Sequence, residues 1–445
     1  MIKITDTGRF VIADDQDLTP DKLEEFIQAH DTQVQSVLAP LSMAYRTKYK
    51  IFDQRAKAAY KPDNRIAVNF ARYIVDTFEG FFAGIPMQIS SDDAKVADYL
   101  TYLRAYTDGD DNNAELSKLM SIYGYGYEMY YVDEAAEIGI THLSPMDAFM
   151  VYDESILERP RYFIRVYTDS HNVRRGSLSD DTVVRYFRLD PDVIWEDEHV
   201  HGFDGVPASE FVMNADRISL IAPVMSMIDA YNKAISEKAN DVDYFADAYL
   251  KILGAKLKND DLKTIRDDRI INFAGINDGK LVVDFLQKPD GDTSQEHLLD
   301  RLERLIFQIS MVANISDESF GTASGQALKY KLHAMSSLAK TKERKFTSGL
   351  NRRYRLIFSN PVSGMQADAW TGITYSYAQN IPSNELEEAQ TAARLSGIVS
   401  RATQLKCLSM IDDVNAEIDR IKAEDEADIP DARSGDFDDE SGDDE

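Results

Sequence analysis

From Gln326 to Arg355 the chain carries Lys329, Lys331, Lys340, Lys342, Arg344, Lys345, Arg352, Arg353 and Arg355 against one acid, Glu343, a net of +8 inside a chain of formal net charge −28. Leu328, Leu332, Met335, Ala339, Phe346, Leu350 and Ile357 recur through it at helical steps. The spacing predicts a long helix with one packed stripe and a basic remaining face. Such a face either sits in solvent or faces a polyanion or an acidic neighbouring subunit. Ahead of it stands a Gly- and Ser-rich connection, Ser316–Gly325, with one aromatic, Phe320, able to project into solvent or a channel.

Two further helices precede this loop. Val224, Ile228, Tyr231, Ile235, Val242, Phe245 and Tyr249 keep a mostly seven-residue register, predicting a packed rod over Pro223–Leu250 of roughly 40 Å. Leu298, Leu302, Leu305, Ile309 and Val312 do the same over Thr293–Ala313, with Thr293 and Glu296 as a capping box. Between them Asp278-Gly279 separates two β-prone runs, a hairpin signal. Two helices flanking a hairpin make a stalk with a tip.

The N-terminal half supplies a body for that stalk. After a weakly β-like start, helical stretches are predicted from Thr19 to about Tyr49, interrupted at Pro40, then over 67–82, 94–106 and 114–122. From Gly126 to about Glu198 short tyrosine-rich strands alternate with turn residues, predicting an antiparallel sheet carried on the helices. Past Phe358, the run ITYSYA predicts a strand rejoining that sheet, and Ile381-Pro382-Ser383 opens a last helical region divided near Gly397 and Leu408. From Lys422 to Glu445 twelve acids face two bases, which predicts a solvated, disordered tail.

The chemistry of enzymes is hard to place. No G-x-x-x-x-G-K-[ST] occurs, and neither does a nucleophile elbow, an HExxH or a cysteine pair. Asp108, Asp110 and Asn112 match the opening of a calcium loop, but the position of its glycine is not glycine and Leu119 stands where the bidentate Glu belongs. His199 and His201 have no Cys or acid cluster at ligand spacing beside them. The lone cysteine, Cys407, is expected as a buried small hydrophobe, and no segment offers the apolar length of a membrane span. No cofactor and no metal are expected. A pI near 4.6 predicts poor non-specific affinity for duplex, whose binding depends on Lys and Arg.

The run DESFGTASGQALKYKL, the two heptad-spaced helices around a β-rich insert, the local sequence MIDAYNKAISEKAND and the acidic tail resemble the portal proteins of tailed double-stranded DNA bacteriophages, of the siphophage type from Gram-positive hosts. The resemblance implies an α+β portal fold: a wing over 1–222, stem helices over 223–251 and 291–313, and a clip over 252–290. It then implies a tunnel loop over 314–325, a long wing helix over 326–358, a wing strand region over 359–382, a crown over 383–428 and an acidic tail over 429–445. It also implies a homo-oligomeric ring of about twelve subunits at one capsid vertex. Double-stranded DNA would pass through it during packaging and ejection.

The partners implied are the terminase large subunit, which would supply the energy, the major capsid and scaffolding proteins, and a head-to-tail connector. The implied place is the virion, with assembly in the host cytoplasm. Ser316, Asp317, Glu318, Ser319, Phe320, Gly321, Thr322 and Ser324 would face DNA. Lys329, Lys331, Lys340, Lys342, Arg344 and Lys345 would form the basic helix behind them, and Arg269, Asn277, Asp278 and Lys280 would dock partners at the clip. Two other readings fit parts of the pattern: a ring-forming scaffold without DNA passage, and a metal-dependent nucleic-acid-processing enzyme.

Overall fold

A computed structural model of the protein describes residues 2–13, 18–58, 61–246, 250–253, 282–285, 292–316, 325–380, 385–408, 410–411 and 413–427. The architecture is α+β, and the chain divides into two units, Met1–Asp317 with Lys331–Asn380, and Glu318–Tyr330 with Ile381–Glu445.

In the first unit, β1 (Lys3–Ile4) and β2 (Phe10–Ile12) lead into α1 (Pro20–Gln33), capped by the Thr19 hydroxyl, which accepts from Lys22 N. A π-helical turn, Val34–Leu38, joins it to α2 (Ala39–Tyr45), which carries Pro40 in its first turn. Next come α3 (Phe70–Phe82), β3 (Gln88–Ser91), α4 (Ala94–Tyr106) and α5 (Gly109–Tyr123). The calcium-loop pattern is helix instead. Asp110 pairs with Arg104 at 2.7 Å, and Asn112 is buried, donating to Glu128.

The strand-rich segment forms two sheets where one was expected. β6 (Ala148–Asp153), β7 (Pro160–Thr168), β8 (Arg174–Ser179), β9 (Val183–Leu189) and β10 (Val193–Val200) follow one another antiparallel, and β2 joins the edge parallel to β6, giving the order β1-β2-β6-β7-β8-β9-β10. Phe10, Leu23, Phe26, Phe149, Ile164 and Phe187 pack between this sheet and α1. β4 (Tyr125–Val132) instead pairs with β5 (Ile138–Leu143) and β11 (Ala208–Val212). Gly124 makes this turn possible: its φ is +89°, and a Cβ there would lie 2.0 Å from the Arg217 carbonyl oxygen.

A 3₁₀ turn, Ala222–Val224, opens α6 (Met225–Ala246), which is followed by β12 (Leu250–Leu253) paired antiparallel with β13 (Val282–Phe285), and by α7 (Asp292–Ser310). The predicted Asp278-Gly279 turn lies outside the described residues. α7 begins at Asp292, so Thr293 lies inside it and is not its N-cap. The long helix, α8 (Gly325–Ser359), ends near Asn360, whose side chain accepts from Val362 N. β14 (Ile373–Ser376) pairs with β3, not with the tyrosine-rich sheet: Ile373 is buried beside Leu100, Phe358 and Tyr130, and that burial places the strand against α4.

The second unit holds α9 (Glu385–Leu395), α10 (Arg401–Leu405) and α11 (Val414–Ala427). Gly397 takes φ +77° at the first break, and Gln404 donates to Ala392 O to tie α9 to α10. Cys407 is half-buried, not buried, because α10 is too short to cover it; its thiol lies 3.5 Å from Thr403 O. Among the described residues no helix is long and apolar enough to cross a membrane.

Candidate functional site

The site is the base of the Ser316–Gly325 loop and the helices that hold it. Ser316 is the last described residue before the loop; Asp317 through Ser324 lie outside the described residues, as do Arg269, Asn277, Asp278 and Lys280. α7 stops at Ser310 because Met311 turns to φ +60°, and Val312 is then buried. The next residues run onto one side chain of α3. Tyr73 OH accepts from Ile315 N at 3.0 Å and from Ser316 N at 3.3 Å, and lies 3.5 Å from Asn314 Oδ1. Asn314 in turn donates to Glu303 on α7. The Tyr73 ring stands edge-on to Phe307 at 5.6 Å, and Phe307 to Phe70 at 5.8 Å. A rigid aromatic contact between α3 and α7 therefore fixes the point from which the loop departs.

α6 and α7 pair through Lys238–Glu296 and through Gln295, which donates to Asp241. The side of α6 facing the body is the apolar stripe read from the sequence only at its start, where Tyr231 also stands edge-on to Phe70 of α3. Val224 and Ile228 are buried, but past them the buried residues are Asn232, Ser236 and Asn240. They bind an extended segment that precedes α3. Val68 N donates to Asn232 Oδ1 at 2.8 Å, Ile66 N to Ser236 Oγ at 2.9 Å and Asn64 N to Asn240 Oδ1 at 2.6 Å. Two extended residues advance the chain by about 6.6 Å and four helical residues by about 6.0 Å, so the two ladders stay in step. Lys57 adds an ion pair to Glu237 at 2.7 Å. The spacing of Asn232, Ser236 and Asn240 is visible in the sequence as i, i+4, i+8. It was missed because the neighbouring apolar residues have a similar period.

On α7 the buried positions are Leu299, Ile306 and Ser310, one step round from the predicted Leu298 and Ile309. Val242 is 62% exposed, Leu298 50% and Ile309 45%. α6 carries Asp229, Glu237, Asp241 and Asp243 against Lys233 and Lys238, and Lys50 pairs with Asp229 as Lys57 does with Glu237.

The basic helix is corrected in one respect. Lys331, Lys340 and Arg344 are exposed and Lys345 is half-buried, but Lys342 is fully buried. Of Lys329 only its place in α8 is described. Lys342 Nζ meets Glu79 Oε1 at 2.6 Å and donates to Ser117 O and Ser121 Oγ at 3.0 Å each, with the Phe82 ring 4.7 Å away. Burial outweighs the Glu79 charge and pushes the ammonium below the ordinary lysine range. About three turns later Arg353 forks onto buried Glu128, both bonds 2.7 Å, while Asn112 and Tyr130 complete the carboxylate. Arg352 donates to Val206 O and Ala208 O. These three cations fasten α8 to α3, α5, β4 and β11 inside one chain, and Lys340 pairs with Glu343 one turn along α8 itself.

The model of the family described as phage portal protein, SPP1 Gp6-like, matches residues 23–431. A portal protein of Bacillus phage SPP1 is 24% identical over 408 residues, covering 85% of this chain and 80% of that protein. A portal protein of Clostridium phage phiCD119 is 25% identical over 226 residues, and the chain spans about half the length of that relative, 49%. Among solved structures, a chain in the neck of a native gene transfer agent particle computed with C12 symmetry aligns at TM-score 0.46 and 13% identity, covering 83% of this chain and 92% of that one. A chain from the virion of a native gene transfer agent particle aligns at 0.48 and 13%, covering 82% and 97%.

Proposed function

The chain belongs to the phage portal protein family of the SPP1 Gp6-like type, and from that premise we propose that about twelve copies close into a ring at one capsid vertex, around a channel for double-stranded DNA. Portal proteins are structural components of the phage particle and not enzymes. In the proposed ring, α6 and α7 form the wall, the segment between them is the clip that engages the terminase motor and later the connector, and Ser316–Gly325 is the constriction around duplex. The first unit without its stalk would be the wing, and α9 to α11 the crown. Major capsid and scaffolding proteins would meet the ring during assembly in the host cytoplasm.

The observation that carries this reading is the apolar stripe left on the stalk. Val242, Leu298 and Ile309 stand in water on a lone subunit, and repeated copies side by side would cover them. The chain's formal net charge of −28 fits a channel that holds DNA without trapping it: like charge repels phosphates over about 8–10 Å, whereas paired Lys and Arg bind them. Electron microscopy with light-scattering mass tests the ring. A central hole and a mass of roughly 600 kDa, about twelve times 50.3 kDa, is expected. A chain that stays at 50.3 kDa with scaffolding and capsid proteins added would refute it.

A further inference from the structure

A short loop between β6 and β7 holds two aliphatic side chains out in solvent. Ile156 is 99% exposed and Leu157 65%. The loop is braced from within and from both sides. Asp153 Oδ1 accepts from Ser155 Oγ, Ser155 N and Arg159 N at 2.7, 3.2 and 2.8 Å. Lys3 pairs with Glu154 and Arg9 with Glu158, which sits at φ +46°. The tip is thus ordered before it meets anything, and the entropy cost of a contact is already met within the fold.

Elsewhere in the same unit α3, α5 and α8 enclose a cavity of about 140 Å³, lined by Phe82, Ile85, Pro86, Ala114, Phe346 and Tyr377. An apolar cavity of roughly 150 Å³ holds a molecule the size of benzene, so this one takes a single aliphatic side chain. Asp110, also on the lining, is already paired with Arg104, so the fit is one of apolar size and not of charge. The exposure of Ile156 shows that the tip does not fill the cavity of its own chain.

We infer that the Ile156–Leu157 tip of one copy seats in the cavity beside Phe82 and Ala114 of the next copy. The inference rests on the ring reading. A protrusion and a socket built from different elements make a head-to-tail contact, the kind that closes into a ring when its rotation allows.

The test uses the full chain. Ile156→Asp with Leu157→Asp removes the tip, and Ala114→Leu fills the socket; circular dichroism and Tm select variants that remain folded. Each alone is expected to raise the subunit concentration for half-assembly at least tenfold. Mixed, they share one intact contact per pair and give a two-chain species near 100 kDa, twice 50.3 kDa. A second readout places Leu157→Cys in one population and Ile85→Cys in the other, both with Cys407→Ser; an oxidised dimer is expected only on mixing. Folded variants that form rings at the wild-type concentration, with no cross-link between the paired cysteines, overturn the contact alone. A wild-type chain that never forms rings overturns the ring reading, and the contact falls with it.

Discussion

Replacing Lys342 by Met deletes the ammonium and keeps most of the stem. Glu79 would then be left as a carboxylate with a side chain only 13% exposed, holding hydroxyl bonds from Ser117 and Ser121. Breaking a buried pair from one side costs about 3–5 kcal/mol, and the surviving hydroxyl bonds put this case near ~3 kcal/mol. Removing both charges, Lys342→Met with Glu79→Leu, leaves no stranded ion, and Ser117 and Ser121 can turn to carbonyls of their own helix. The double variant is therefore expected within about 1 kcal/mol of wild type. Differential scanning fluorimetry reads this as a fall in Tm of roughly 5 °C for the single variant and most of it regained in the double. A single variant within about 1 °C of wild type, or a double variant that falls as far as the single, would show that the pair does not anchor α8 as described.

Three further outcomes are expected. Tyr73→Phe keeps the ring against Phe307 but strands the amide of Ile315, whereas Ser316 N still reaches Asn314 Oδ1; hydrogen exchange at Ile315 should quicken by about tenfold or more, and unchanged protection there would mean that the loop base is held by something else. His30 is buried, stacked on Phe149 with Nε2 donating to Pro145 O, and burial lowers its pKa below 6.5 although Asp31 lies near. The unfolded chain then takes up the proton first, so this contribution is full above pH 6.5 and is lost as pH falls below it; the urea midpoint of His30→Phe should drop less between pH 7.5 and 5 than that of wild type. Reversing Asp317 and Glu318 to Lys adds phosphate-binding cations at the proposed constriction and should slow DNA packaging and steepen its salt dependence; an unchanged rate and slope would mean that these two residues do not meet the duplex.

Much of the fold is legible because periodicity reports burial. Phe70–Phe82 and Ala94–Tyr106 fall where apolar steps place them, and the short strands follow their alternation. What sequence could not give is which partner each element finds. β14 goes to β3, whose Gln88–Ser91 is too short and polar to announce itself. The stalk helices turn a polar ladder toward the body because Asn232, Ser236 and Asn240 have backbone donors to meet, leaving Val242 and Leu298 outside. Counting charges likewise placed Lys342 on a basic face, yet Glu79, 263 residues away in sequence, draws it inside. Long-range ion pairs of this kind have no local signature.

The central claim is that DNA runs past the Ser316–Gly325 loop, and the most direct test is photo-cross-linking in filled particles. A photoreactive residue at Phe320 is compared with one at Ser170, on the exposed turn between β7 and β8. The account predicts DNA adducts at Phe320 and none at Ser170. Full particles without an adduct at Phe320, or with equal adducts at both positions, would contradict it.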